Sequence, residues 1–182
     1  MLYRTSAEMD DGPRPPPFLL RALGRVIDLV VHVAVLELAG LVHRLASLGS
    51  LFTAQEDCLL YIDTGFGIVA MVLGLSVAEW FGGATVGKWL CGMRVVATGG
   101  GSPTYRGTTR RNLALLLDLL FFGLVAYSAM ARSERRQRVG DDWGDTVVVW
   151  RRAAPGRPAL GGALLGVVTS LLVLLLSYIV VA

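Results

Sequence analysis

Four apolar runs, 26–42, 59–81, 113–131 and 160–182, constrain what this chain can fold into more than any other feature. A helix crosses a bilayer on about 20 consecutive apolar residues, because that length spans the hydrocarbon core. The second and fourth runs meet this requirement outright. The first meets it when the arginines at its start snorkel to the interface. The third is short and carries Asp118 inside it. Of the 182 residues 54% are hydrophobic, and the excess over a soluble domain is concentrated in these runs. Two short strand-like stretches, 93–98 and 146–150, flank the third run, and the turn cluster Gly99, Gly100, Gly101, Ser102 and Pro103 follows the first of them. The fold expected is an all-α membrane protein, a small helical bundle of three to four membrane segments with a short cytoplasmic β-containing loop region.

Charge placement sets the orientation. Arg4, Arg14, Arg21 and Arg25 precede or open the first run, and Arg44 is the one basic residue of the Lys/Arg type between the first two runs. Lys88, Arg94, Arg106, Arg110 and Arg111 lie between the second and third, and seven arginines lie in 132–158. By the positive-inside rule the N-terminus is cytoplasmic, the first loop is outside and the second is inside. A plain third span would then place the seven arginines outside. A re-entrant hairpin broken near Gly123 removes the conflict and leaves both strand-like stretches on one side, free to pair. That hairpin is the expected arrangement, with a third span as its alternative. Residues 1–20 read as a flexible cytoplasmic tail, with Asp10, Asp11, Pro13, Pro15, Pro16 and Pro17 and no short uncharged core of a cleaved signal. Residues 21–150 form the membrane domain, and 151–182 a linker with an added transmembrane helix.

The first helix holds the most informative residues. Arg21, Arg25, Asp28 and His32 are spaced 4, 3 and 4 apart, which places them on one helical face. A carboxylate at that depth must face protein, and Arg25 one turn earlier is its expected partner. An internal salt bridge holding the bundle is the favoured reading, a proton or ion site the alternative. Glu37 falls on the opposite face and needs a different partner.

The stretch Arg21 with Arg25-Val26-Ile27-Asp28 resembles the first-helix signature of the RDD family, named for one arginine and two aspartates. Thr85-Val86-Gly87-Lys88-Trp89-Leu90-Cys91-Gly92-Met93-Arg94-Val95-Val96 is similar to the family loop T-x-G-K-x-x-x-G-x-R-V-V. Arg110-Arg111-Asn112 then leads to Asp118, in the place of the family's intramembrane aspartate. Arg138-Val139-Gly140-Asp141 and Thr146-Val147-Val148-Val149 resemble its closing stretch. The blocks occur in order over 21–150. Asp142 and Asp145 depart from the pattern, and the last helix lies outside the family core. The resemblance implies a multi-pass bacterial inner-membrane protein, with Asp28 and Asp118 as its aspartates and Arg21, or else Arg25, as its arginine. Thr85, Gly87, Lys88, Gly92, Arg94 and Asp141 are its loop motif.

Other chemistry finds little support. Cys58 and Cys91 make neither a disulfide framework nor a zinc site. His32 and His43 are eleven apart on different faces, so no metal is expected. The stretch from Gly82 to Lys88 fits the opening of a phosphate-binding loop, but Trp89 stands where a magnesium-binding hydroxyl belongs, and a membrane helix precedes it. No nucleotide or other cofactor is expected, and Lys88 and Trp89 read as headgroup-level residues. No base-reading or nucleophilic constellation points to nucleic acid or to covalent catalysis. The basic stretch 132–138 suits acidic lipid headgroups. Small residues four apart, Ala70, Gly74, Ala78 and Gly162, Gly166, Ser170, serve helix packing within the chain or between chains. The function expected is a non-enzymatic accessory or assembly component that binds membrane lipids, other membrane proteins or a second copy of itself. The alternative, to which the family has occasional links, is ion or Na+/H+-type transport through Arg21, Arg25, Asp28 and Asp118. Glu37, Asp63 and Glu79 would extend that path, and a chain this small would need to oligomerise.

Overall fold

A computed structural model of the chain describes residues 15–47, 56–121, 123–133, 135–153, 156 and 158–181. The expected tail falls largely on 1–14, outside the described residues, as do the side chains of Cys58 and Asp63.

Three long helices form the body: α1 (Phe18–Ser47), α2 (Glu56–Gly82) and α8 (Ala159–Val181). Among the described residues the windows long and apolar enough to cross a membrane are Phe18–Leu45, Gly65–Gly82 and Ala159–Tyr178. With the all-helical body around one two-stranded sheet, this is a small helical membrane protein. α1 begins at Phe18, so Arg21, Arg25 and Asp28 lie inside a continuous helix. It buries Arg21, Asp28, His32, Val35 and Ala39 along one stripe and exposes Leu19, Leu23, Val26, Val30, Val33 and Leu41 on the other side. Apolar residues exposed in this way suit lipid contact, and Arg21 and Asp28 are turned inward, whereas Glu37 is not.

The small-residue stripes find each other within the chain. Gly82 faces Gly162, Gly74 faces Gly166, and the Ser170 hydroxyl donates to the Ala70 carbonyl at 3.0 Å, so α2 and α8 run antiparallel. A Cβ on Gly74 would lie 2.6 Å from the Gly166 carbonyl oxygen, so only glycine permits this approach. Farther along, Val35 and Ala39 of α1 join Ala70 and Leu174 in an apolar core, and His43 stacks on Tyr178 with ring centroids 4.4 Å apart.

The third apolar run is not one helix. α4 (Tyr105–Leu113) leads into α5 (Leu115–Leu120), and α6 (Leu124–Arg132) follows a left-handed Gly123 with φ 77°. A side chain there would be strained, so the break is written into the sequence. β1 (Met93–Ala97) before this run pairs antiparallel with β2 (Thr146–Trp150) after it, in a register from Met93↔Trp150 to Ala97↔Thr146. The run therefore departs from the sheet and returns to it, as the hairpin reading expected. Leu117, Leu120, Phe121, Leu124 and Tyr127 are exposed along its outer side. Met93, Val95 and Val148 make a second core beneath the sheet, with Leu20 and Cys91 packed on it. Two short helices, α3 (Val86–Leu90) and α7 (Val139–Trp143), sit just ahead of the two strands.

Candidate functional site

α3 is seated on α1 through Asp28. Thr85 caps the helix, its hydroxyl accepting from the Lys88 amide at 3.4 Å and donating to Asp28 Oδ2 at 2.7 Å. The Gly87 amide donates to Asp28 Oδ1 at 2.8 Å. A Cβ on Gly87 would overlap the Gly24 carbonyl, so glycine is what lets α3 reach α1. The sequence reading paired Asp28 with Arg25. That ion pair is present but long, Arg25 Nη1 standing 3.9 Å from Asp28 Oδ2, and the shorter contacts of the carboxylate are those to Thr85 and Gly87. Arg25 turns its other nitrogen to Asn112 Oδ1 at 3.3 Å and Glu79 Oε1 at 3.6 Å.

Glu79, fully buried near the end of α2, is the centre of the site. Its Oε1 receives Lys88 Nζ at 2.5 Å, and its Oε2 faces Arg111 Nε at 3.0 Å and accepts from Asn112 Nδ2 at 3.2 Å. Sequence reasoning treated Glu79 only as a polar extension and left Arg111, Asn112 and Arg138 out of the site. A carboxylate in an apolar helix, followed within a turn by a lysine-bearing loop, was the signal available. The reading of Lys88 at the lipid headgroups is overturned, since it is buried and its amine is turned to Glu79. Burial and the nearby Arg25 guanidinium push its pKa down to about 7, against the pull of Glu79. The amide and the amine of the Gly87-Lys88 pair are thus both committed inside the protein, to Asp28 and Glu79. Trp89 remains half-buried near the surface with the Arg151 guanidinium over its ring.

A second centre forms at Asp141, fully buried in α7. Arg21 Nη2 meets its Oδ2 and Arg111 Nη1 its Oδ1, each at 3.0 Å, and Arg138 adds a backbone bond of 3.1 Å and an Nε contact of 3.4 Å. Burial works to raise this carboxyl, but Arg111, Arg138 and Arg21 outweigh it and hold the pKa well below the usual carboxylate range. Thr146 ties the centre to β2, accepting from Arg111 at 3.2 Å and donating to the Asp141 carbonyl at 3.2 Å. Arg138 then reaches into the hairpin and binds Asp118 Oδ2 at 2.8 Å. Arg138 is buried, so only part of the basic stretch 132–138 is free to face headgroups.

Arg111 joins the two centres, and through it Arg21, Arg25, Lys88, Arg138, Asp28, Glu79, Asp118 and Asp141 make one network at one end of the bundle. Of the remaining motif residues, Gly92 turns the chain from α3 into β1 at φ 69°, and Arg94 is buried with its stem against Gly83. Asp145 holds φ 50°, a conformation that aspartate tolerates better than most residues, and Asp142 is exposed. Glu37 lies exposed, opposite Asp28, as its spacing requires. Among the described residues no group of His, Cys, Asp or Glu is placed to hold a metal ion. The model of the RDD family matches residues 15–145. Neither the curated proteins nor the solved structures contain a match to the chain.

Proposed function

The chain belongs to the RDD family, and on that premise we propose that it is a multi-pass protein of the bacterial inner membrane with a cytoplasmic N-terminus. In this reading it is non-enzymatic, an accessory or assembly component that engages other membrane proteins or lipids. One observation carries the reading: the buried charges of α1, α2 and the segments between α2 and α8 are held against one another at one end of the bundle. Glu79 and Asp141 hold their cations at contacts of 2.5–3.6 Å. Charges tied in this way build a rigid platform. A transport path would need polar groups continuing through the bundle; among the described residues beyond His32, Val35, Ala39, Ala70 and Leu174 form an apolar core, and the hydroxyls of Ser170 and Ser177 there are bonded back to the Ala70 and Leu174 carbonyls.

Two measurements test this. A single cysteine at Ser133, in an otherwise cysteine-free chain, is expected to react with an impermeant reagent only after the cytoplasmic side is opened. Labelling in intact cells would reject the orientation. In reconstituted vesicles the wild type is expected to show no sodium- or proton-driven flux, and mild-detergent purification to retain membrane-protein partners. Reproducible flux lost in Asp118→Asn, with folded protein retained, would replace the accessory reading with transport.

A further inference from the structure

Where α1, the α5–α6 hairpin and the sheet meet, the protein encloses a partly open cavity of about 350 Å³. Its two sides differ in chemistry. One wall is apolar, built from Phe18, Leu115, Ala126 and Met130. The other is lined by Arg21, Arg25, Lys88, Arg111 and Arg138, with Asp118 as the one carboxylate among the lining residues. Asp28, Glu79 and Asp141 are not among the lining residues. Among the described residues the network has five cations for four carboxylates. Arg25 Nη1 is buried without a hydrogen-bond acceptor, its ion-pair contact with Asp28 being 3.9 Å long. The cavity is large enough for part of a ligand of ordinary size.

From this we propose that the cavity binds an anionic phospholipid, its phosphate turned to the arginines and the start of an acyl chain laid along Phe18, Leu115, Ala126 and Met130. A free phosphate would leave the apolar wall unused, and a bare hydrocarbon would leave the excess cation of the network without an anion. A lipid satisfies both sides, and it reaches the site from the bilayer past the exposed apolar face of the hairpin, where Tyr127 packs edge-on against Phe18 with centroids 5.3 Å apart. Basic pockets between membrane helices on the cytoplasmic side recognise anionic headgroups in this manner. The inference rests on the lipid-engaging half of the function proposed above and fails separately from it, because partner retention is read in the same preparation.

The test is native mass spectrometry of the full chain in mild detergent, supplied with phosphatidylglycerol or with phosphatidylcholine of the same acyl chains. One phosphatidylglycerol per chain is expected, preferred by about tenfold over phosphatidylcholine. Ala126→Phe, which fills the cavity from α6, is expected to lower that retention about tenfold at an unchanged unfolding temperature. Ala22→Leu fills it from α1 and stands in should Ala126→Phe not fold. Replacing the exposed Arg132 and Arg135 by glutamine is expected to leave retention as it was. Equal retention of both lipids, no retained lipid, or full retention in the filled variants would overturn the proposal. So would loss of lipid in the Arg132 and Arg135 variant, which would place the headgroup on the open surface. Displacement of the lipid by glycerol phosphate would assign the site to a soluble anion instead. Membrane proteins that still co-purify in any of these cases leave the accessory function standing.

Discussion

The two ends of the bundle are held together by different physics. At the end near Val35, Ala39, Ala70 and Leu174, helices meet through small and apolar residues, with Gly74 and Gly166 letting two backbones touch. At the other end the same α1 and α2 present Arg21, Arg25, Asp28 and Glu79, and the chain between them and α8 folds over these charges with its own arginines and aspartates. Dispersion between close backbones tolerates small shifts along the helices, whereas a buried ion pair demands its partner in place. The apolar end therefore sets how the helices pack, and the charged end sets which loop covers them.

The difference predicts unequal damage. Glu79→Ala should be the most harmful single change, because it leaves Arg25, Lys88 and Arg111 around an empty acceptor site. A loss of about 3–5 kcal/mol is expected, read as unfolding in detergent or as absence of folded protein. Wild-type stability in Glu79→Ala would break the contrast between the two ends. Gly74→Leu should come next, since its side chain has to enter the Ser170 and Gly166 backbone region of α8. About 1–3 kcal/mol of overpacking is expected. Disulfide trapping between cysteines placed at Ala70 and Ser170 should weaken alongside, reporting separation of α2 from α8.

Asp28→Ala follows, at about 1–3 kcal/mol, because the Thr85 hydroxyl and the Gly87 amide lose their shared acceptor. Asp28→Asn keeps one carbonyl oxygen and should be milder. Glu37→Ala, on the exposed side of α1, should leave thermal stability nearly unchanged. Equal effects of Asp28→Ala and Glu37→Ala would mean that α3 does not depend on Asp28 for its seat on α1.

The same division governs what the sequence made legible. The long helices, the break at Gly123 and the two strands follow from local signals: run length, a glycine in a left-handed position, and β-branched stretches beside turns. The small-residue stripes were visible too, although only the fold decides that they meet within one chain. The network was half legible. Arg21, Arg25, Asp28 and Asp118 were found because a charge in an apolar run needs an explanation. Helical spacing proposes the nearest opposite charge, and the Arg25–Asp28 pair is there, but it cannot show that Asp28 also takes a backbone amide 59 residues away or that Arg21 reaches Asp141 at 120 residues' distance. Lys88 looked superficial because it follows a turn, and only the seating of α3 on α1, with the amine turned to Glu79, buries it.

The smallest expected effect concerns that buried lysine and uses pH to probe the charged end alone. The amine of Lys88 has a pKa of about 7 in the folded protein, against 10.5 for the free side chain. Below about pH 7 it is protonated both folded and unfolded, and the folded state bears the full cost of burying the charge. Between about 7 and 10.5 the unfolded chain holds a proton that the folded chain has released, so this group makes stability rise with pH. The wild type is therefore expected to gain a few degrees of unfolding temperature between about pH 7 and 9 relative to Lys88→Met, which has no proton to release. Lys88→Arg should also lose the rise, since its guanidinium stays charged throughout, and should be less stable at pH 9. Arg25 and Arg111 remain beside Glu79 in both variants, so the comparison isolates one proton while the network stays occupied. Identical pH slopes in the wild type and Lys88→Met would mean that the amine is solvated, and that α3 lifts readily from its seat on α1 beside Glu79.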